Sequence, residues 1–488
     1  MANLTKEDMR SVTEIIKELY LEDRIPWICG YSGGKDSTAV VQLVWYALLE
    51  LPKEKRRKKV HVISTDTLVE SPVVSIWAGE SLKKMEEKAR QDELPIFPHR
   101  LTPTVSNTFW VNLIGRGYPY PRRDFRWCTD RMKIDVSNRF IKSVLDAESE
   151  AVMVLGSRKA ESAVRKAVLE EYEKKRYRAH LSPNGSFPNS YVFTPIENWS
   201  NDNVWQYLLQ VPNPWGHSNK DLLAMYSGAS ADGECPLVTD SSTPSCGNSR
   251  FGCWVCTMVA KDKSMDAMIQ HDEEKAWMLP MLEFRNEIAA DLTTDRERRD
   301  FRRKDGRLTY YNQRLVHGPY TKETRESFLR RLLEVEKLVH EIGPEEIRDI
   351  PLITMEELRF IRQIWLDEKH EFDDSLPRIY EEVTGKPYED GLIGKNKYFG
   401  APEEKLLRAV CSELYPDEQL LPEMQRALLD TEAKAAAISS KRNIILNFET
   451  EIKKAFYRDE TDAEAIAETR ARRASGVTEE VDPDDFAE

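Results

Sequence analysis

Two stretches of this chain carry side chains whose types and spacing suit chemistry. The first is Ser32-Gly33-Gly34-Lys35-Asp36-Ser37-Thr38. Paired glycines let a backbone approach an anion, and free N–H groups at the positive end of a helix dipole favour a phosphate or pyrophosphate. Lys35 and the hydroxyls of Ser32, Ser37 and Thr38 add donors. The Walker pattern is not met, because Cys29 stands where its first glycine belongs and Asp36 follows Lys35 in place of Ser or Thr. The second stretch packs Cys235, Cys246, Cys253 and Cys256 into 22 residues. Two thiolates in Cys253-Trp254-Val255-Cys256 can grip one centre, and the looped spacing lets Cys246 reach it. Cys128, in Arg126-Trp127-Cys128-Thr129-Asp130-Arg131, is a further candidate. Thiolates select zinc or an iron–sulfur cluster, and both fit this pattern. The other two of the seven cysteines, Cys29 and Cys411, read as small buried hydrophobes.

The elements that must position these groups follow from the apolar pattern. Residues 25–31, 60–64, 94–101 and 151–155 read as short buried strands, the second ending at Thr65-Asp66-Thr67 and the fourth at Gly156-Ser157-Arg158. Helical patterns at 38–51, 71–91 and 134–147 alternate with them. Continuous apolar strands between helices predict an α/β fold with a doubly wound, mainly parallel sheet. The phosphate loop then lies at the carboxyl edge, where open α/β sheets bind ligands. Residues 181–190 read as a loop, and Ser200 as the N-cap of a helix over 201–209. Residues 227–250 are too poor in apolar side chains to order themselves, whereas a metal could order them. Beyond about residue 260, amphipathic patterns at 321–342, 356–368, 405–411 and 423–437 predict a helical region. The expected organisation is a nucleotide-binding domain over 1–226, a cysteine-rich segment over 227–260, a helical region over 261–457 and an acidic, disordered tail over 458–488.

Composition limits the partners. The 488 residues are 40% apolar and 32% charged, with a formal net charge of −13. Such an acidic chain does not hold nucleic acid by its global field, so contact with DNA is expected through local patches or a complex. The longest apolar stretch falls short of the about 20 residues needed to span a bilayer, so no membrane association is expected. The first ten residues carry acids and no apolar run, so a signal peptide is not expected and a reducing, cytoplasmic location is.

The motif Ser32-Gly33-Gly34-Lys35-Asp36-Ser37 resembles the PP-loop of ATP pyrophosphatases, which cleave ATP between the α and β phosphates. Further blocks resemble the phosphoadenosine-phosphosulfate reductase family in the right order: Ser64-Thr65-Asp66-Thr67; Arg126-Trp127-Cys128-Thr129 with Arg131, Lys133 and Asp135; Leu155 to Ser162; and Pro195-Ile196 with Trp199, Val204 and Trp205. The resemblance implies that Lys35 and Asp36 act in catalysis with Mg²⁺ at the phosphates, that Asp66 sits near the nucleoside, and that Arg158 meets a phosphate. On the residues alone, Asp66 reads equally well as a strand-end cap and Arg158 as half of an ion pair. The cysteine block and the helical extension look most like the DndC-type sulfurtransferases of bacterial DNA phosphorothioation. That likeness implies ATP, Mg²⁺ and a [4Fe–4S] cluster on Cys128, Cys246, Cys253 and Cys256, with Cys235 left in a soft loop to carry persulfide. It also implies a cysteine desulfurase as sulfur donor and other phosphorothioation subunits as partners. The chain departs from sulfonucleotide reductases, which have an adjacent cysteine pair where this chain has Cys128 alone. Two alternatives are an adenylylsulfate reductase and a non-catalytic assembly subunit.

Three basic stretches admit bland readings. Residues 53–59 are expected to be a solvated helix–strand loop, and residues 296–307 a salt-bridged helix face. Tyr118-Pro119-Tyr120-Pro121-Arg122-Arg123 suits a nucleotide or a rigid loop.

Overall fold

A computed structural model describes residues 4–122, 124–229, 252–389, 400–436 and 444–474. Two compact units emerge. The first is Met1–Phe109, Pro121–Asn286 and Leu338–Ile350; the second is Trp110–Tyr120, Glu287–Lys337 and Pro351–Glu488.

The first unit is built on a six-stranded sheet: β1 (Trp27–Gly30), β2 (Val60–Thr65), β3 (Ile96–Leu101), β4 (Ala151–Val154), β5 (Ser182–Pro183) and β6 (Ser190–Phe193), in the order β3-β2-β1-β4-β6-β5. All pairings are parallel except that of β5 with β6. Successive strand side chains face opposite sides, so Trp27 and Cys29 join one core while Ile28 joins the other. The first core is roofed by α1 (Lys6–Glu22), α2 (Lys35–Leu49) and α3 (Pro72–Gln91), with the helices Asn201–Gln210 and Asn219–Gly228. The second is covered by Asp135–Glu148, through Ile141 and Val144. Eleven of the fifteen α2 residues are buried, each large aliphatic one stabilising the unit by about 1.5–3 kcal/mol. Burial on both faces is why central β1 and β4 are apolar, whereas edge strand β3 carries His99 and Arg100 and is largely uncovered.

Four expectations change. The short strand β5 lies inside the stretch read as a loop over 181–190, and β6 begins at that stretch's last residue, pairing in register with β4 from Ala151↔Ser190 to Val154↔Phe193. Lys58, inside the run read as solvated, is 4% exposed, with Nζ on Asp23 Oδ1 (2.6 Å) and the Leu19 carbonyl (3.0 Å). Residues 296–307 are not a helix face, because the helix Leu292–Glu297 stops there. Arg302 pairs with Asp300 and Arg307 with Asp305, two residues apart in turns, and Gly306 adopts φ +79°. Within the expected tail, Glu460–Ala474 is a helix whose Ala463 and Ala467 are buried against Leu315, Leu420 and Tyr457.

The second unit is largely helical, with long helices at Met355–Asp367, Ala401–Leu414, Leu421–Ala436 and Ile444–Lys454. A hairpin joins Tyr310–Tyr311 to Arg314–Leu315, and Asn312 and Gln313 both take positive φ, as tight hairpin turns require. No helix among the described residues is long and apolar enough to cross a membrane.

Candidate active site

The loop after β1 lies where the strand order reverses, between β1 with its neighbour β2 and the adjacent β4. Gly33 takes φ +75°, a conformation that a side chain would oppose. Gly34 is the N-cap of α2. The loop is braced from within: Ser37 Oγ donates to the Gly34 carbonyl (2.9 Å) and accepts from the Ser32 N–H (3.2 Å). Trp77 Nε1 donates to the Gly33 carbonyl (3.3 Å), and its ring stacks on His217 at 3.7 Å. His217 is 4% exposed, and burial pushes its pKa down to about 4.

Gly156, just past β4, is what lets the two loops meet. A Cβ there would stand 3.0 Å from the Asp36 carbonyl carbon and oxygen. Arg158 follows two residues later and is almost wholly buried. Its Nε donates to Asp36 Oδ1 (2.7 Å) and its Nη1 to the Trp199 carbonyl (3.2 Å). Lys35 Nζ takes the other oxygen, Asp36 Oδ2, at 3.2 Å. The Lys35 backbone N–H, one of the free donors expected to cradle an anion, points to the Tyr226 hydroxyl at 3.4 Å. Burial, then the Asp36 charge, holds the Tyr226 phenol well above its usual range, so it stays protonated. Tyr226 was missed from the sequence, where nothing local marks it.

Asp66 is in place as a strand-end cap. Its Oδ1 accepts from the Leu68 N–H (2.8 Å), which stabilises the positive φ of Leu68, and its Oδ2 accepts from Arg100 Nε (3.0 Å).

The carboxyl ends of parallel β1 and β2 share one edge of the sheet, so the loop following Asp66 lies on the same edge as the phosphate loop. Here Cys253 meets it. Cys253 and Glu70 form an isolated antiparallel bridge, and the Trp254 N–H donates to the Val69 carbonyl (2.9 Å). Cys253 Sγ lies 3.3 Å from Thr67 Oγ1 and 3.7 Å from Glu70 Oε1. Thr67 Oγ1 donates to that same Glu70 oxygen (3.0 Å), and Lys133 Nζ lies 3.4 Å from it. The Cys253 sulfur, and then Glu70, hold the Lys133 ammonium above its ordinary range despite burial. Burial pushes the Cys253 thiol up strongly, with Glu70 adding to it. The Cys128 thiol is raised too, by burial and in part by the nearby Cys256.

Cys253 and Cys256 close a tight turn through Cys256 N–H to the Cys253 carbonyl (2.9 Å). Arg285, fully buried, clamps this turn by donating to the carbonyls of Cys256 (2.9 and 2.8 Å), Val259 and Ala260 (3.0 Å). Arg285 was also missed, lying far along the chain from the thiols it steadies. Among the described residues, no three Cys, His, Asp or Glu side chains are close enough to hold a metal ion. Cys235 and Cys246 lie outside the described residues. The three remaining sulfurs have the donor chemistry of a thiolate-bound centre but do not enclose one by themselves. Cys29 and Cys411 are buried, as expected, and burial alone pushes the Cys29 thiol up to about 12.

Residues 26–215 match the family model of the phosphoadenosine phosphosulfate reductase domain. The matched part, well under half of the chain, carries the glycine loop after β1, Asp66, Cys128 and Arg158. An uncharacterised protein of Methanocaldococcus jannaschii is 29% identical over 206 residues, 42% of this chain. The chain matches only 36% of the length of that curated relative. Three solved structures are similar in part. The phosphoadenylyl-sulfate reductase of Candida auris, a phosphate complex, gives a TM-score of 0.25 at 13% identity, covering 44% of this chain and 91% of that one. FMN adenylyltransferase of Candida glabrata, with FAD and pyrophosphate, gives 0.26 at 14% identity, covering 50% and 73%. The U34-tRNA thiolase of Methanococcus maripaludis, with its [4Fe–4S] cluster, gives 0.28 at 12% identity, covering 58% and 80%.

Proposed function

We propose that this chain is an ATP pyrophosphatase that drives sulfur transfer, replacing a non-bridging phosphate oxygen of DNA with sulfur. The observation that carries this reading is the glycine loop at the head of α2, which lies within the stretch 26–215 that matches a sulfonucleotide-handling domain and shares one sheet edge with the thiol-bearing turn at Cys253 beyond that stretch. A helix head with Lys35, Ser32, Ser37 and Thr38 suits a pyrophosphate leaving group. A phosphate oxygen is a poor leaving group. Adenylating it with ATP releases pyrophosphate and makes AMP the group to be displaced. A persulfide sulfur, carried in this reading by Cys235, then forms the P–S bond. A second thiol attacks the Cys235 sulfur to free the thiophosphate, leaving a disulfide that an external thiol must reduce.

Asp36 has the hard oxygen donors that suit Mg²⁺, which would neutralise charge on the phosphates. Cys128, Cys246, Cys253 and Cys256 would hold a [4Fe–4S] cluster. Arg285 and Glu70 position the Cys253 turn, while Lys133 places a fixed positive charge beside its sulfur. In the same reading a cysteine desulfurase supplies sulfur in the cytoplasm, and other phosphorothioation subunits bring the acidic chain to DNA.

Product analysis tests the first half of the reaction. The purified chain, given ATP, Mg²⁺ and DNA, is expected to yield AMP and pyrophosphate, and Asp36→Ala to abolish this with the fold intact. ADP and orthophosphate as first products would sink the assignment.

A further inference from the structure

The second unit contains a cavity that the proposed reaction does not use. It has a volume of about 100 Å³ and lies among residues 300–306, the end of the helix Met355–Asp367, and the helices Leu421–Ala436 and Ile444–Lys454. At about 30 Å³ per water, that is room for three waters or one tetrahedral oxyanion.

Its walls are highly charged, and most of the charges are already committed. Arg302, 4% exposed, spends its donors on Asp300 (Nε to Oδ1, 3.0 Å), Glu423 (Nη2 to Oε2, 2.9 Å) and the Lys454 carbonyl (Nη1, 2.9 Å). Lys454 Nζ is held by Glu451 at 2.7 Å, and His370 by Asp430 at 2.5 Å. Lys369 stands apart. Among the described residues its ammonium has no hydrogen-bond or ion-pair partner, yet it lines the cavity beside these groups. The helix end fixes it there: the N–H groups of Glu368 and Lys369 both donate to the Ile364 carbonyl (2.9 and 3.1 Å), and His370 takes φ +56°. Burial, followed by the Arg325 guanidinium, pulls the Lys369 pKa down to about 8.

A half-buried cation that forgoes a partner is less favourable than a paired one unless something supplies one. The charges of Glu371, Glu423 and Asp300 reach Lys369 without closing on it, because Asp300 and Glu423 are bound to Arg302, Glu451 to Lys454 and Glu371 to Arg325, while Glu368, which also lines the cavity, is exposed to solvent. Arg325 is itself locked to Glu371 and adds positive potential without offering the cavity a free anion. We propose that this cavity binds a phosphoryl oxyanion through Lys369, carried either by a free phosphorylated small molecule or by a nucleic-acid backbone. The site is independent of the phosphate loop and stands or falls separately from the ATP reaction.

The test must not be confused by phosphate at the loop after β1, so it reads Lys369 itself. The full chain is labelled briefly with an amine-acylating reagent, and each lysine is followed by peptide mass spectrometry. Without added anion, Lys369 is expected to react at a lower pH than the exposed Lys453. Inorganic phosphate at ten times its dissociation constant should slow labelling of Lys369 by about tenfold and leave Lys453 unchanged. Protection by a short single-stranded oligonucleotide at far lower concentration would identify the backbone as the source; protection by phosphate alone, a small molecule. A Lys369 that labels freely whatever the concentration of either probe, or that slows only in parallel with Lys453, overturns the proposal.

Discussion

Gly156→Ala probes the close approach on which the site depends. The added methyl would lie 3.0 Å from two backbone atoms of Asp36 and 3.2 Å from the Ser37 nitrogen. These atoms belong to the first turn of α2, which cannot swing aside as a flexible side chain can. Relief requires the β4 loop to withdraw by a few tenths of an ångström, and that pulls Arg158 off Asp36. Overpacking of this kind costs about 1–3 kcal/mol, and for a unit of this size each kcal/mol lowers Tm by about 2–4 °C. Gly185→Ala is the control, because a Cβ there meets nothing within 4 Å and its φ is not positive. That change should be neutral or stabilise by about 0.4–1 kcal/mol through the unfolded chain. Thermal unfolding and AMP release are measured on both variants. Gly156→Ala is expected to lose Tm and most of its ATP cleavage, and Gly185→Ala neither. A Gly156→Ala protein with wild-type Tm and turnover would refute the idea that contact between the two loops sets the site.

Tyr226→Phe removes the hydroxyl that occupies the Lys35 N–H. A weak hydrogen bond is worth about 0.5–1 kcal/mol, so equilibrium binding of a non-hydrolysable ATP analogue should tighten about two- to fivefold; weaker binding would mean that the phenol contacts the nucleotide. His61 Nδ1 and His99 Nε2 lie 3.0 Å apart on β2 and β3 beneath Phe140, and burial pushes the His61 pKa down to about 4 and lowers that of His99. Their folded pKa values lie below the unfolded value of about 6.5, so the stability they confer is complete above pH 6.5 and drains as pH falls towards 4. It is on the order of 2 kcal/mol, and His61→Gln should flatten the urea-unfolding profile in that window relative to wild type; an unchanged pH slope would count against it. Anaerobically purified Cys128→Ser, Cys246→Ser, Cys253→Ser and Cys256→Ser variants should lose colour and stability, and Cys235→Ser should stay brown while failing in sulfur transfer. A colourless Cys235→Ser beside a brown Cys128→Ser would reverse the ligand assignment.

The sequence disclosed what is local and concealed what is distant. The glycine loop at the head of α2 was legible because glycine, lysine and hydroxyl residues crowd into seven positions between an apolar strand and an apolar helix. The parallel sheet was legible because burial on both faces leaves apolar runs in its central strands β1 and β4. Strand β6 was not, since Ser190-Tyr191-Val192-Phe193 is only four residues long and follows a stretch rich in Pro, Asn and Gly. Charge misled twice. Lys58 sits in a run whose average is solvated, but its partner Asp23 is 35 positions away. In residues 300–307 the alternating signs suit a helix face, yet Arg302 and Arg307 each close a turn onto the acid two residues before them. The Arg158–Asp36 pair spans 122 positions and the Lys35–Tyr226 contact 191. Neither has a spacing that a one-dimensional pattern records.

Those two distant contacts give the loop its logic. Both Asp36 oxygens are taken, one by Arg158 and one by Lys35, and the two cations differ in what they can give up. Arg158 is 3% exposed and is also bound to the Trp199 carbonyl, so moving it would strand a buried guanidinium. Lys35 is held at 3.2 Å by a flexible stem over the face of Tyr226, 5.4 Å from the ring centroid. Lys35 is therefore the cation that moves. If it turned to a phosphate, as the proposed function requires, it would uncover Asp36 Oδ2 while Oδ1 stayed fixed on Arg158. The carboxylate would then be oriented and half free, as a hard cation shared with phosphate would require. On the proposed function, anion and cation binding would thus be coupled through one side chain, and Arg158, besides any contact with a phosphate, would fix the angle at which Asp36 presents its remaining oxygen.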